Sequence, residues 1–285
     1  MIACRVVSWN CWWRFGDWEP RWSAIAAVLA DTAPDVVGLQ EVWATDAENA
    51  AGRLADRLGM HWSWVPSPQP GRWQRRIGDP TVAIGNAVLS RWPIAATAHV
   101  DLVGPVGAAD GRTALRADVD TPAGRLPFVT TQLSSAPGLS AVRGAQLRHL
   151  AGALLAPAGD ATLPPVLTGD LNALPESDEV RSIEGVLTEP AVPGLVLVDA
   201  WRYAGPHEPG FTWDRANPHV AGTGEPSSRI DYVLVGLPRA GGAALVVAAG
   251  LLGERPYDGV WPSDHAGVVA DLLLGQQAAP DGEAR

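Results

Sequence analysis

The sequence predicts an α/β (α+β) protein in which mixed or antiparallel sheets carry helices on their outer faces. Three observations support this. Apolar runs of strand length recur along all 285 residues, helical patterns separate some of them, and hairpin signals are too frequent for the strict alternation of a doubly wound parallel sheet. No internal repeat, linker or compositional break divides the chain, so one domain is expected over residues 1–275, with a disordered tail over 276–285.

Residues 2–10 read as a strand that begins almost at Met1. "WSAIAAVLADTAPD" (22–35) reads as a helix stopped before Pro34, because proline has no N–H and restricts the residue before it. "VVGLQEV" (36–42) is a buried strand, and residues 44–59 are an Ala-rich helix with Gly59 as its C-cap. A short strand at "HWSWVPS" precedes a polar, arginine-bearing loop over 67–80, and "TVAIGNAVLSRWPI" opens the next strand. "TALRADVDTPAGRLPFVTTQLSS" is a hairpin turning at Thr-Pro-Ala-Gly. A helix follows at 139–155, a strand at 165–170 and a helix at 176–187; strands are expected at 211–214, 228–235, 243–250 and 266–274.

An apolar fraction of 47% supports a substantial core, and 18% charge is below the globular average of about 25%. The longest strongly apolar stretch, 243–252, is far short of the roughly 20 residues of a membrane span. "MIACRVVSWN" lacks the layout of a signal peptide, so a cytoplasmic protein without stable membrane association is expected. The net charge of −10 argues against broad nonspecific binding of nucleic acid while leaving room for a local basic site. All 21 basic residues are arginine, which excludes any mechanism that needs a lysine. Cys4 and Cys11 are too few for a disulfide scaffold or zinc site and read as buried thiols on opposite faces of the first strand.

The chemistry is suggested by polar residues placed where apolar strands stop: Asn10, Glu41, Asp170 with Asn172, Asp231, and Asp264 with His265. In an extended chain residues i and i+2 share a face, so Asp170 and Asn172 form one polar pair. Any one of these residues has a structural explanation as a cap or Asx-turn. Asp231 is harder to explain in that way. Flanked by Ile230, Tyr232, Val233 and Leu234, its carboxylate needs a partner, and His265 is the best candidate among six histidines. An imidazole oriented by a carboxylate suits a general base. Carboxylates and amides without a thiolate suit Mg²⁺ or Mn²⁺ rather than zinc. Together they describe metal-assisted hydrolysis of a phosphoester.

With these stretches in the order "WN", "LQEV", "GNAVLSRWPI", "GDLNALP", "RIDYVLV" and "SDH", the chain resembles the endonuclease/exonuclease/phosphatase superfamily. These metal-dependent phosphoesterases include pancreatic-type deoxyribonucleases, apurinic endonucleases and neutral sphingomyelinases. The resemblance spans residues 8–265 and implies a four-layer sandwich, two packed mixed sheets flanked by helices. It implies Glu41 as principal metal ligand with Asn10 beside it, Asp170 holding the attacking water, and Asn172 on the phosphoryl group. Asp231 would orient His265, Asp264 would add a metal or water contact, and Arg112 would clamp a phosphate. Many members carry a histidine where this chain has Gln132, which would bind the substrate by donating a hydrogen bond to a phosphate oxygen but has no imidazolium proton to give. A working but altered site is expected, with a silent phosphate-binding module as the alternative from another class.

Two loops bear on the substrate. The first, with Trp12 and Trp13, follows Asn10; the second places Arg72, Arg75 and Arg76 around Trp73. Aromatic-plus-arginine loops suit bases and phosphates, so nucleic acid or a nucleotide is the favoured substrate. A phospholipid head group or small phosphorylated metabolite is the alternative.

Overall fold

The computed structural model describes residues 1–102, 110–155, 163–239 and 242–276. The tail expected to be disordered lies, from residue 277 on, outside the described residues. The strands are β1 (Ile2–Asn10), β2 (Val36–Ala44), β3 (His61–Pro66), β4 (Ala83–Ser90), β5 (Ile94–Asp101), β6 (Thr113–Thr121), β7 (Gly124–Gln132), β8 (Val166–Asp170), β9 (Leu197–Asp199), β10 (Asp231–Gly236), β11 (Ala243–Leu252) and β12 (Gly267–Gly275). They form two six-stranded sheets, β11-β12-β1-β2-β4-β3 and β5-β6-β7-β8-β10-β9. Both follow one plan. Every neighbouring pair is antiparallel except one, β1–β2 in the first sheet and β7–β8 in the second. A parallel pair needs a crossover, supplied by α1 (Trp18–Thr32) and by α4 (Ser140–Leu150), the latter continued by a wide helical turn over 151–155.

Three apolar clusters define four layers. One lies between the sheets, where Cys4, Val6, Val36 and Val88 meet Leu115, Phe128, Val166 and Val233. A second packs α1 and α2 (Ala50–Leu58) on the first sheet through Ile25, Leu29, Leu54, Val37 and Leu89. The third packs α4 and α5 (Asp178–Glu184) on the second sheet through Leu147, Leu150, Ile183 and Leu167. Central strands buried on both faces explain the continuous apolar runs. The odd spacing of Cys4 and Cys11 places one thiol in the inter-sheet cluster and the other under α1, both free and buried.

Several boundaries differ from expectation, for local reasons. α1 begins at Trp18, with Glu19 and Pro20 in its first turn, and ends with Ala33 left-handed (φ 48°) before Pro34. β2 runs on to Ala44, so α2 starts only at Ala50, capped by the Asn49 side chain, which accepts from Ala51 N at 2.8 Å. The loop expected over 67–80 contains a helix, α3 (Gly71–Ile77), between Pro70 and Gly78 (φ 69°); seven residues are too few for a legible period. Residues 211–214 form only isolated bridges through Trp213, to Ser228 and His265, and β9 was not expected. β10 opens at Asp231 rather than 228, so this acid stands at the strand's mouth, not in its middle. No helix among the described residues is long and apolar enough to cross a membrane.

Candidate active site

The second sheet presents its polar residues by register alone. Gln132 pairs with Asp170 across β7–β8, and Asp170 pairs with Asp231 across β8–β10, so three strand ends set three polar side chains in a row. Asp231 is fully buried and holds His265 Nδ1 through Oδ2 at 2.8 Å. Its backbone N–H donates to Thr212 Oγ1 at 3.2 Å, while its Oδ1 has no partner among the described residues. Asp170, Asp231 and His265 each offer a ligand atom, all within 4.8 Å of one another. Burial lowers the imidazole's pKa, but Asp231, Asp264 and Asp170 outweigh that and raise it well above the usual value.

In the first sheet Asn10 pairs with Gln40 across the parallel β1–β2 ladder, but Glu41 reaches the site through an irregularity. The β2–β4 ladder breaks between Leu39 and Val42, and Glu41 is left-handed (φ 53°), an unfavourable conformation for a non-glycine residue. The break turns Gln40 inward, where its Nε2 donates to Thr130 Oγ1 at 2.8 Å, and leaves Glu41 facing the mouth. The sheets come close together here: a Cβ at Gly38 would lie 2.2 Å from Thr168 Oγ1. Only glycine permits that contact.

Gln132 joins the two rims. Its Nε2 donates to Glu41 Oε1 at 2.7 Å and to Asp170 Oδ2 at 3.1 Å, and its Oε1 accepts from Arg112. Arginine only donates, so Arg112 fixes which end of the amide faces the acids. Behind Arg112 stand Asp110, Ser134 and Gln146: Arg112 Nε lies 3.6 Å from Asp110 Oδ2, Ser134 Oγ donates to the same oxygen, and Gln146 Nε2 donates to Ser134 Oγ at 2.9 Å. Asn10 makes a second tie, its Nδ2 donating to Asp170 Oδ2 at 3.1 Å and its Oδ1 accepting from Trp12 N at 3.0 Å. Asn172, left-handed (φ 48°), donates its N–H to Asp170 Oδ1 and its Nδ2 to the Leu133 carbonyl.

The chain after Asn10 is held by Arg21 of α1, which is 2% exposed. Its guanidinium donates to the carbonyls of Phe15, Cys11, Pro262, Trp12 and Trp13 at 2.9–3.1 Å, using all its donors. Trp12 and Trp13 both carry positive φ, a conformation this grip maintains. The bond to Pro262 also anchors the start of "SDH", where Ser263 Oγ donates to the Asn10 carbonyl at 2.7 Å and accepts from His265 N at 3.2 Å. Asp264, 7% exposed, has Oδ1 3.3 Å from Ser263 Oγ; burial, with Glu41 adding repulsion, pushes its pKa up to about 7 despite His265 and Arg21.

Asn10, Glu41, Gln132, Asp170, Asn172, Asp264 and His265 thus line one cleft of about 450 Å³, with Asp231 behind the imidazole. Trp12 and Trp73 line it too, but Trp13 does not. Trp13 is fully buried in the cluster under α1 and donates through Nε1 to the Ala83 carbonyl, so the substrate contact expected of it is corrected. Arg112 is 4% exposed and stands behind Gln132 rather than on the cleft wall, so it does not form the phosphate clamp expected of it. The sequence reading missed Arg21, whose partners are all backbone carbonyls and leave no trace in a motif. It also missed Trp213, whose ring packs against His265 with centroids 5.0 Å apart.

The model of the endonuclease/exonuclease/phosphatase family matches residues 7–265. The chain belongs to that family. It is therefore a metal-dependent phosphoesterase. An endonuclease/exonuclease/phosphatase from Beutenbergia cavernae DSM 12333 is 28% identical, with 96% of this chain and 72% of that one covered at a TM-score of 0.68. TDP2 from D. rerio in complex with single-strand DNA product (21%, covering 95% and 99%, TM-score 0.71) shares the fold. So does the human nocturnin catalytic domain with a bound sulfate anion (20%, covering 95% and 94%, TM-score 0.66). No curated protein matches the chain significantly in sequence.

The family's divalent cation fits the residues present. Glu41, Asp170 and Asp264 bring three carboxylates to one cleft. The donors are carboxylate and amide oxygens with the His265 imidazole beside them and no thiolate, which suits a hard cation.

Proposed function

We propose that the chain is a Mg²⁺-dependent phosphodiesterase acting on nucleic acid or nucleotides. The observation that carries this reading is the meeting of the Asp231–His265 pair with Glu41, Asp170 and Asn10 in one cleft walled by Trp12, Trp73, Arg72 and Arg76. Glu41 is the principal cation ligand, with Asn10 and Asp264 beside it. Bound there, the cation supplies Lewis-acid charge to the phosphoryl oxygens.

The remaining work falls to side chains. Asp170 holds and orients the attacking water through the oxygens that Asn10, Gln132 and the Asn172 N–H fix in place. His265, favoured as imidazolium by its carboxylate neighbours, donates from Nε2 to a phosphoryl oxygen while Asp231 fixes the ring through Nδ1. Asn172 keeps one amide hydrogen free of Leu133 for the same phosphoryl group. Gln132, lacking a transferable proton, positions Glu41 and Asp170. The DNA product held by the TDP2 relative and the sulfate held by nocturnin accord with a phosphodiester substrate.

The test is product release from a panel of oligonucleotides, dinucleotides, nucleotide diesters and sphingomyelin with Mg²⁺, Mn²⁺ or EDTA. Cation-dependent cleavage of nucleotide substrates, lost in Glu41→Ala and His265→Ala, is the expected result. Cleavage insensitive to both substitutions, or confined to the lipid, would overturn the reading.

A further inference from the structure

Beyond the His265 imidazolium, the catalytic end of the cleft has no unengaged positive side chain among the described residues: Arg21 is held by five carbonyls and Arg112 by Gln132 and Asp110. The basic side chains on the cleft wall are Arg72 and Arg76, both from α3, and neither forms an ion pair among the described residues. Four residues apart, they stand one above the other on a single helical face, whereas exposed Arg75 turns away from the cleft. Each stands over an aromatic ring, Arg72 with Cζ 4.0 Å from the Trp73 centroid and Arg76 with Cζ 4.2 Å from that of Phe15. The rings support the guanidinium groups without occupying their N–H donors, which suits capture of a phosphate. Burial and repulsion from Arg112 bring the Arg72 pKa down to about 10, against the opposing pull of Asp110 and Glu41.

We infer that Arg72 and Arg76 form a second anion subsite, so that the preferred substrate carries another phosphate beside the one cleaved. This rests on the proposed phosphodiesterase reading and narrows it. A simple diester fills only the catalytic end, whereas a nucleotide chain or a phosphate-terminated dinucleotide fills both. The extra phosphate comes from a neighbouring internucleotide linkage or from a terminal monoester, and recognition by two guanidinium edges is common to both.

The test compares kcat/KM for bis(p-nitrophenyl) phosphate, the dinucleotide TpT, phosphate-terminated pTpT and the trinucleotide TpTpT in the wild type and in Arg72→Gln/Arg76→Gln. Expected is a wild-type preference for pTpT or TpTpT over TpT. The double variant should lose about tenfold to a hundredfold on the favoured substrate, mainly in KM, and far less on bis(p-nitrophenyl) phosphate. Arg75→Gln should match wild type on all four. Whichever of pTpT and TpTpT is favoured identifies the source of the second phosphate. A parallel titration with Ca²⁺ compares thymidine 3′,5′-bisphosphate with thymidine 5′-monophosphate and needs no turnover. The bisphosphate should bind wild type more tightly, by a margin the double variant loses. Equal loss on every substrate, or no bisphosphate preference, overturns the subsite and leaves the phosphodiesterase standing. Absence of any hydrolysis overturns the phosphodiesterase, and the titration still decides the subsite.

Discussion

The two β-α-β units, β1–α1–β2 and β7–α4–β8, occupy equivalent places in sheets of the same plan, yet they deliver their side chains differently. The second unit relies on regular pairing: Gln132, Asp170 and, one strand on, Asp231 stand in register. The first relies on departures from regularity. Glu41 sits on a broken ladder with positive φ, and the chain after Asn10 is held in strained conformations by one buried arginine. Register needs only local pairing, whereas strain persists only where tertiary contacts impose it. The first rim should therefore be the more fragile.

The sharpest test removes the side chain that the irregular rim exists to present. Glu41→Ala should lower cation-dependent kcat/KM on the order of 10³-fold with the far-UV circular dichroism unchanged. Activity within tenfold of wild type would mean that this rim takes no part in the chemistry. Next, Arg21→Met takes a donor from five carbonyls, of which, among the described residues, only those of Trp12 and Trp13 keep another, and should cost about 3 kcal/mol or more in urea denaturation. Activity should fall even at temperatures where the variant stays folded. A stable, fully active variant would show that the loop holds its shape unaided, and the contrast between the rims would collapse.

Gln132→Leu cuts the link between the rims. It leaves Arg112 without its hydrogen-bond acceptor and Glu41 without its donor, takes one of three donors from Asp170, and should lower kcat/KM about tenfold and weaken cation binding by calorimetry. Unchanged cation affinity would remove the positioning role.

A further test concerns pH. Burial raises the Asp264 pKa from 3.8 to about 7 in the folded chain. A group raised in this way contributes stability that is complete below its unfolded pKa and lost as pH rises through its folded one. Without a divalent cation, Asp264→Asn should therefore be more stable than wild type near pH 8, and the gap should close as pH falls towards 4. Melting temperatures in EDTA across that range would show it. A gap independent of pH would mean that Asp264 is ionised throughout.

The polar residues at strand ends were legible because a carboxylate or amide at the end of an apolar run stands out against its neighbours. Asn10, Glu41, Asp170, Asn172, Asp264 and His265 were all selected on that ground, and they share one cleft. Trp13 was misread because tryptophan serves a core as well as a cleft, and only packing distinguishes the two uses. Arg112 was misread because an arginine beside a site can face the substrate or the residue behind it. α3 was missed because a seven-residue helix has no second turn in which to repeat its pattern.

The residues alone settled the mixture of buried strands, hairpins and helices and the identity of the groups at the strand ends, since burial and periodicity are local properties of the chain. The tertiary structure alone decided that two sheets close on each other tightly enough for Gln132 to reach Glu41, and that Arg21 gathers five carbonyls from separate turns. Those contacts join residues as far apart as Arg21 and Pro262, and their geometry exists only once both sheets have packed.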